Sequence, residues 1–340
     1  MTYLSLFGLK VHHGQFSLTM RILITGGLGF VGGRLAVHFA QSGHQIILGT
    51  RNSISPPDWL LQAEVAKISW DDMEALEYSC NGVDLIIHAA GMNAQDSAAD
   101  PIEALAFNGL ATARLVTAAT RVGVSKLIYL STAHVYNNPL TGVITEESCP
   151  RNIHPYATSH LAGEQAVLSA HSRGELQGIV LRLSNAFGAP MHKDVNCWML
   201  LVNDLCKQVV QTRKLVLQTS GLQQRDFISL TDMCCVVEKL ITYTQFKQAN
   251  VFNVGAGLSQ SVLEMAELIQ QRCTKVLGFT PALQRKQSRV DEQPSKLTYC
   301  TENLNALGIF CKSITDTDEI DKLLQFCQAT YKQTKSLVHE

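Results

Sequence analysis

The chain has 340 residues, a net charge of −1 and 17% charged side chains, an ordinary globular composition with room for one large domain or two modest ones. A near-neutral balance offers no basic surface to nucleic acid, and no apolar run reaches the roughly 20 residues of a membrane-spanning helix, so neither partner is expected. Ten scattered cysteines without a Cys-x-x-Cys pair or Cys/His ligand spacing point to reduced thiols in a cytoplasmic protein and to no metal site.

Residues 1–19 precede a second methionine, Met20. Their apolar part is short and no basic region stands before it, which makes a poor signal peptide. They read as a loose extension, or as an upstream start whose working protein begins at Met20, with His12 and His13 solvated rather than metal-binding.

Ile22 to Thr25 is a short apolar, β-branched run and predicts a buried strand. Gly26, Gly29 and Gly32 follow with G-x-x-G-x-x-G spacing, and apolar residues then recur at helical spacing from Phe30 to Gln41. Gly43 ends that helix and Gln45 to Leu48 is a second strand. Glycines permit so tight a turn. They also bring bare N–H groups, including those of Phe30 and Val31, to the positive end of a helix, where a pyrophosphate binds. A glycine triad inside such a strand–helix–strand unit is a dinucleotide signal; a tight turn without ligand is the bland alternative.

NAD-preferring versions of this unit end the second strand in Asp or Glu. Here Gly49 stands near that position, followed by Thr50 and Arg51. No carboxylate would repel a 2′-phosphate and Arg51 could pair with one, which favours NADP over NAD. A merely solvated Arg51 is the competing reading.

The alternation continues. Leu85 to His88 is a strand followed by Ala89, Ala90 and Gly91, and residues 100–124 form a long amphipathic helix that carries Asn108. Leu127 to Leu130 is a strand leading into Ser131 and Thr132, with Lys126 before it. Residues 154–171 form a helix with Pro155 suited to its first turn, and residues 178–188 hold another strand with Asn185 near its end. Such alternation predicts an α/β doubly wound parallel sheet, with ligands bound beyond the C-terminal strand ends. The triad, His88 to Gly91, Thr132 and Asn185 all fall at such ends. His88 itself reads as a packing residue. Past residue 186 the pattern loosens into a smaller substrate lobe, 186–226 and 259–335, with a return to the sheet near 227–258. A helix is expected over 195–210 and another from Ser261, which is placed to cap it.

These marks resemble the extended short-chain dehydrogenase/reductase family, in its nucleotide-sugar epimerase/dehydratase branch, over about residues 20–330. They are TGGLGFVG (25–32), HAAG (88–91), Asn108, LSTAHVY (130–136), PYATSH (155–160), RLSNAFG (182–188), RDFISLTD (225–232) and FNVGAG (252–257). The resemblance implies a Rossmann-type NAD(P)-binding domain over 20–185 and a homodimer. Gly26, Gly29, Phe30, Val31, Gly32, Arg51, Ala89, Ala90, Gly91 and Asn108 would hold the dinucleotide. Thr132 and Tyr156 would be catalytic, with Tyr156 the acid/base as hydride passes between nicotinamide and a sugar carbon. Asn185 and Arg225 would bind the nucleotide sugar, and His134 would touch it or only shape its loop. Ala133 and His134 stand where 4,6-dehydratases of this branch carry an acidic pair, which argues against dehydration.

The departure is His160, in the position of the family's lysine. That lysine binds the nicotinamide ribose, and its charge lowers the tyrosine pKa. A unit charge about 6 Å away, at an effective dielectric of about 20, is worth about 3 kcal/mol, or about two pKa units. A protonated imidazole would keep that help; a neutral one keeps only a hydrogen bond. Three readings follow: a reductase whose tyrosine donates a proton, an epimerase that tolerates histidine, or a nucleotide-binding sensor or scaffold with little turnover.

Overall fold

The computed structural model describes residues 9–12, 15–243, 250–288, 296–311 and 317–331. Of the expected N-terminal extension, β1 (Leu9–His12) and β2 (Gln15–Leu18) pair antiparallel; His13 lies outside the described residues. Contacts divide the chain into two units, residues 1–131 with 153–181, and residues 132–152 with 182–340.

The seven-stranded sheet begins with β3 (Arg21–Thr25), β4 (Gln45–Thr50), β5 (Glu64–Lys67), β6 (Leu85–His88) and β7 (Lys126–Thr132), which pair in parallel. With β8 (Gly142–Ile144) paired elsewhere, β9 (Gln177–Leu183) and later β13 (Val251–Val254) complete the order β13-β9-β7-β6-β3-β4-β5. Strands β3, β6 and β7 are apolar and buried nearly throughout, as expected of a parallel sheet covered on both faces. Helix α1 (Phe30–Gln41) buries Leu35, Ala36 and Phe39, an i, i+1, i+4 stripe. Helix α2 (Met73–Cys80) is capped by Asp72, and α3 (Ala94–Ala99) by Asn93.

The expected single helix over 100–124 is interrupted. Between α4 (Pro101–Ala104) and α5 (Thr112–Arg121) the backbone runs as a π-helix, Leu105–Ala111. Such wide turns are rare and concentrate at functional sites. Helix α6 (Pro155–Ser172) packs along this stretch. There Gly163 is required, because a Cβ would lie 2.7 Å from both the Asn108 carbonyl oxygen and the Tyr129 hydroxyl. Lys126 is the first residue of β7 rather than a residue before it, and burial lowers its ammonium pKa.

In the second unit β10 (Asn185–Phe187), β12 (Gln224–Ser229) and β14 (Ser259–Ser261) form one small sheet. Strand β11 (Lys214–Leu217) pairs with β15 (Ala282–Arg285), and β16 (Leu297–Tyr299) with β8. Helices α7 (Leu201–Thr212), α9 (Val262–Leu277) and α11 (Asp318–Tyr331) share a core that includes Leu205, Ile269 and Leu323. Helices α8 (Leu230–Thr242) and α10 (Glu302–Ala306) complete the elements. Ser261 caps α9 in a full capping box with Glu264, as its position predicted. Helix α7 starts at Leu201, six residues later than expected from 195. Trp198 lies before it, stacked on Phe326 and edge-on to Tyr331.

Candidate active site

The glycine turn builds a cradle. Gly26 adopts φ 67° at the end of β3, and the N–H groups of Gly26 and Gly27 both donate to the Gly49 carbonyl, at 3.0 and 3.4 Å. A Cβ on Gly26 would stand 2.8 Å from the Ala90 nitrogen, and one on Gly32 2.2 Å from the Gly26 oxygen. Glycine is therefore obligatory at both positions. Helix α1 opens at Gly29 with no side-chain cap and no acidic residue in its first turn. Its first-turn N–H groups, those of Phe30, Val31 and Gly32, have no intrahelical acceptor and stand at the positive end of the dipole. A pyrophosphate fits this donor set. Ala89, Ala90 and Gly91 follow β6 beside the cradle, and exposed Arg51 follows β4 with its guanidinium 5.8 Å from the Phe107 ring centre.

A directed polar chain backs the cradle. The Thr112 hydroxyl donates to the Asn108 carbonyl at 2.7 Å, so its oxygen receives His88 Nε2–H at 2.9 Å. His88 Nδ1 then accepts the Thr25 hydroxyl at 2.6 Å, and the Thr25 oxygen accepts Ala90 N–H at 3.4 Å. Burial first, then nearby His160, lowers the His88 pKa to about 3. His88 is thus a neutral structural link, and among the described residues no metal-ligand cluster exists.

Asn108 lies in the π-helical stretch and is buried. Its Oδ1 accepts Met92 N–H at 2.7 Å and its Nδ2 donates to Ser159 Oγ at 3.0 Å; Ser159 in turn donates to the Tyr156 carbonyl at 3.1 Å. This ties the loop after β6 to the helix that carries Tyr156.

Pro155 is the first residue of α6, and the cap residue His154 accepts Tyr156 N–H at 3.2 Å. Tyr156 is half-buried and His160 is buried. Four residues apart on one helix face, their rings meet edge-on at 4.6 Å between centres. His160 Nδ1 is 2.9 Å from the Tyr129 hydroxyl. Burial lowers the His160 pKa to about 4, so the imidazole is neutral at pH 7 and lends Tyr156 no positive charge. Tyr129 is pushed well above the usual phenol range by burial, then by Glu164 and Tyr156. Glu164, fully buried, accepts the Ser131 hydroxyl at 2.5 Å. The rings of Trp70, His88, Tyr129, His160 and Tyr156 form a continuous file with neighbouring centres 4.6 to 5.9 Å apart.

The second unit holds the other expected residues. Thr132 ends β7 and its side chain accepts His134 N–H at 3.1 Å, opening a short 3-10 turn. The His134 carbonyl accepts from Asn152 at 2.7 Å. Asn185 Nδ2 donates to the Asp226 carbonyl at 2.8 Å. Arg225 is half-buried in β12, and desolvation lowers its guanidinium pKa. The sequence alone gives no role to Tyr129, Ser131, Ser159 or Glu164. Only Glu164 carried a signal, as a carboxylate one turn beyond His160 on a helix of low charge.

A glycine cradle on an uncapped helix N-terminus, at the C-terminal edge of a parallel sheet, defines a dinucleotide-binding α/β protein. Residues 22–255 match the model of the NAD dependent epimerase/dehydratase family, and the chain belongs to that family of enzymes. It is 28% identical over 268 residues to the dTDP-D-glucose 4,6-dehydratase of Mus musculus, spanning 75% of this chain and 73% of that one. It is 28% identical over 314 residues to the UDP-glucose 4-epimerase of Bacillus subtilis, spanning 83% and 88%. The solved UDP-glucose 4-epimerase from Thermotoga maritima with UDP-glucose superposes with a TM-score of 0.76 at 21% identity, covering 92% of this chain and 99% of that one, which shows a shared fold.

Proposed function

We propose that this chain is a cytoplasmic NAD(P)-dependent oxidoreductase or epimerase acting on a nucleotide-activated sugar, with Tyr156 as its acid/base. The observation that carries this reading is the Tyr156–His160 pair, held edge-on beside an anion cradle that only glycine can form. The cradle and the first turn of α1 hold the pyrophosphate, and Arg51 is the group that would meet a 2′-phosphate, so NADP stays open beside NAD. When bound, the dinucleotide supplies the hydride acceptor or donor. Tyr156 exchanges a proton with the sugar oxygen. Because His160 is uncharged, it does not favour a phenolate there, and the pair suits donation of a proton to a carbonyl better than its abstraction. By the family resemblance, Thr132, Asn185, Arg225 and His134 of the second unit are the residues given to the sugar nucleotide.

A homodimer accompanies this reading. Ile102, Leu105 and Leu110 are 84%, 54% and 50% exposed along one continuous helical stretch, an apolar run that suits a partner helix better than water.

The test is incubation with NAD or NADP and a panel of UDP- and dTDP-hexoses, with products read by mass and NMR. Conversion of one member, lost in Tyr156→Phe, supports the proposal. No conversion by a chain that still binds dinucleotide would count against turnover.

A further inference from the structure

Resting on that dinucleotide reading, we propose that Tyr129 is a positioning residue. It fixes His160 as the Nε2–H tautomer and so aims a neutral N–H donor past Gly91, at an oxygen acceptor of the bound dinucleotide.

Tyr129 lies in the middle of β7 and is 1% exposed. Its hydroxyl is 2.9 Å from His160 Nδ1. Two arrangements satisfy that distance: the phenol donates to Nδ1, or Nδ1–H donates to the phenol oxygen. The surroundings select the first. Burial and the neighbouring Glu164 carboxylate keep the phenol protonated, so its hydrogen needs an acceptor. Thr112, its other polar neighbour, has its hydrogen on the Asn108 carbonyl and receives His88 Nε2–H on one of its two lone pairs. The acceptor within hydrogen-bond distance of the phenol is Nδ1 of His160. A neutral imidazole that accepts at Nδ1 carries its proton on Nε2.

The Nε2 edge faces Gly91. A Cβ built there would lie 3.4 Å from His160 Cε1 and 3.6 Å from Nε2. Gly91 is exposed and follows directly on Ala90, which walls the glycine cradle. The missing side chain at 91 leaves the imidazole edge open on the nucleotide side. His160 therefore acts as a directed hydrogen-bond donor of fixed tautomer, and Tyr129, which itself touches no ligand, sets the direction.

The test uses the full chain labelled with 15N-histidine, with the His160 signals assigned by their loss in His160→Gln. At pH 7 the long-range 15N spectrum of wild type should show one neutral species, protonated at Nε2. In Tyr129→Phe, which removes only the hydroxyl, that single-tautomer signature should be lost, and the dissociation constant for NAD(P)H should rise about tenfold, the worth of one hydrogen bond. The same substitution in a His160→Gln background should leave the dissociation constant unchanged. A wild-type Nδ1–H tautomer overturns the proposal before any variant is made, and so does an unaltered tautomer in Tyr129→Phe. If wild type shows the Nε2–H tautomer yet binds neither NADH nor NADPH, the dinucleotide reading fails and the donor has no such ligand. If it binds one of them but Tyr129→Phe binds equally well, only the role of Tyr129 fails.

Discussion

A Cβ added to Gly32 would stand 2.2 Å from the carbonyl oxygen of Gly26. The first turn of α1 lies directly on the turn that precedes it, and both are backbone, so no side chain can swing aside. Gly32→Ala must push the helix off the cradle. Overpacking of this kind costs about 1–3 kcal/mol. We expect a lower Tm together with at least a hundredfold weaker NAD(P)H binding, read by melting and by fluorescence titration. Unaltered binding would show that the cradle does not hold the dinucleotide.

His160 and His88 make stability depend on acid. Their folded pKa values, about 4 and about 3, lie below the ordinary 6.5. Between those values the unfolded chain binds more protons, so stability rises with pH, is fully present above about 6.5, and is lost as pH falls through the window. For His160 the shift corresponds to about 3 kcal/mol. Urea melts between pH 4 and 8 should show this slope, and it should be shallower in His160→Gln.

Turnover should not follow an imidazole titration between pH 6 and 8. A rate that falls through pH 6.5 would mean that a charged His160 assists Tyr156, contrary to its burial here.

Tyr156→Phe should leave dinucleotide affinity within a few-fold of wild type and lower kcat by 10² to 10⁴, the usual worth of a positioned acid or base. Equal losses of binding and rate would assign the hydroxyl to binding instead.

Asp226 behaves oppositely to the histidines. It is fully buried and its pKa is raised from 3.8 to about 6, first by burial. Its Oδ1 accepts Ala256 N–H at 2.9 Å, while Oδ2 has no hydrogen-bond partner among the described residues. The folded chain therefore holds the extra proton, and stability falls as pH rises from 3.8 through 6, by about 3 kcal/mol in all. Asp226→Asn keeps one acceptor and replaces the orphan oxygen by a donor. The Ser184 hydroxyl stands beside this carboxyl and works against the rise, and Ser259 lies opposite in the β12–β14 register. The Asp226→Asn variant should be more stable than wild type at pH 8 by about 1–3 kcal/mol, with the gain shrinking as pH falls through 6 and gone below about 3.8.

How much of this was legible in the sequence differs by element. Helix α1 is predicted to the residue, since a glycine turn fixes its start and Gly43 its end. The parallel sheet is legible because buried strands are short apolar runs between helices. The π-helical stretch is not: widening a turn at Leu105–Ala111 leaves no mark in apolar periodicity, yet it sets where Asn108 points. The glycines and the Tyr156–His160 spacing are legible because local geometry demands those residues. Tyr129 is not, because a tyrosine inside an apolar strand reads as core until β7 is placed beside α6. The charge state of His160 is likewise a matter of burial, which spacing along a helix does not report.

The most direct measurement is a fluorescence titration of the purified chain with NADH and with NADPH at pH 7, beside Gly32→Ala. One site per chain is expected for at least one of the two, lost in the variant. A folded wild type that binds neither would contradict it, since every role assigned to Tyr156 and His160 depends on a dinucleotide in that cradle.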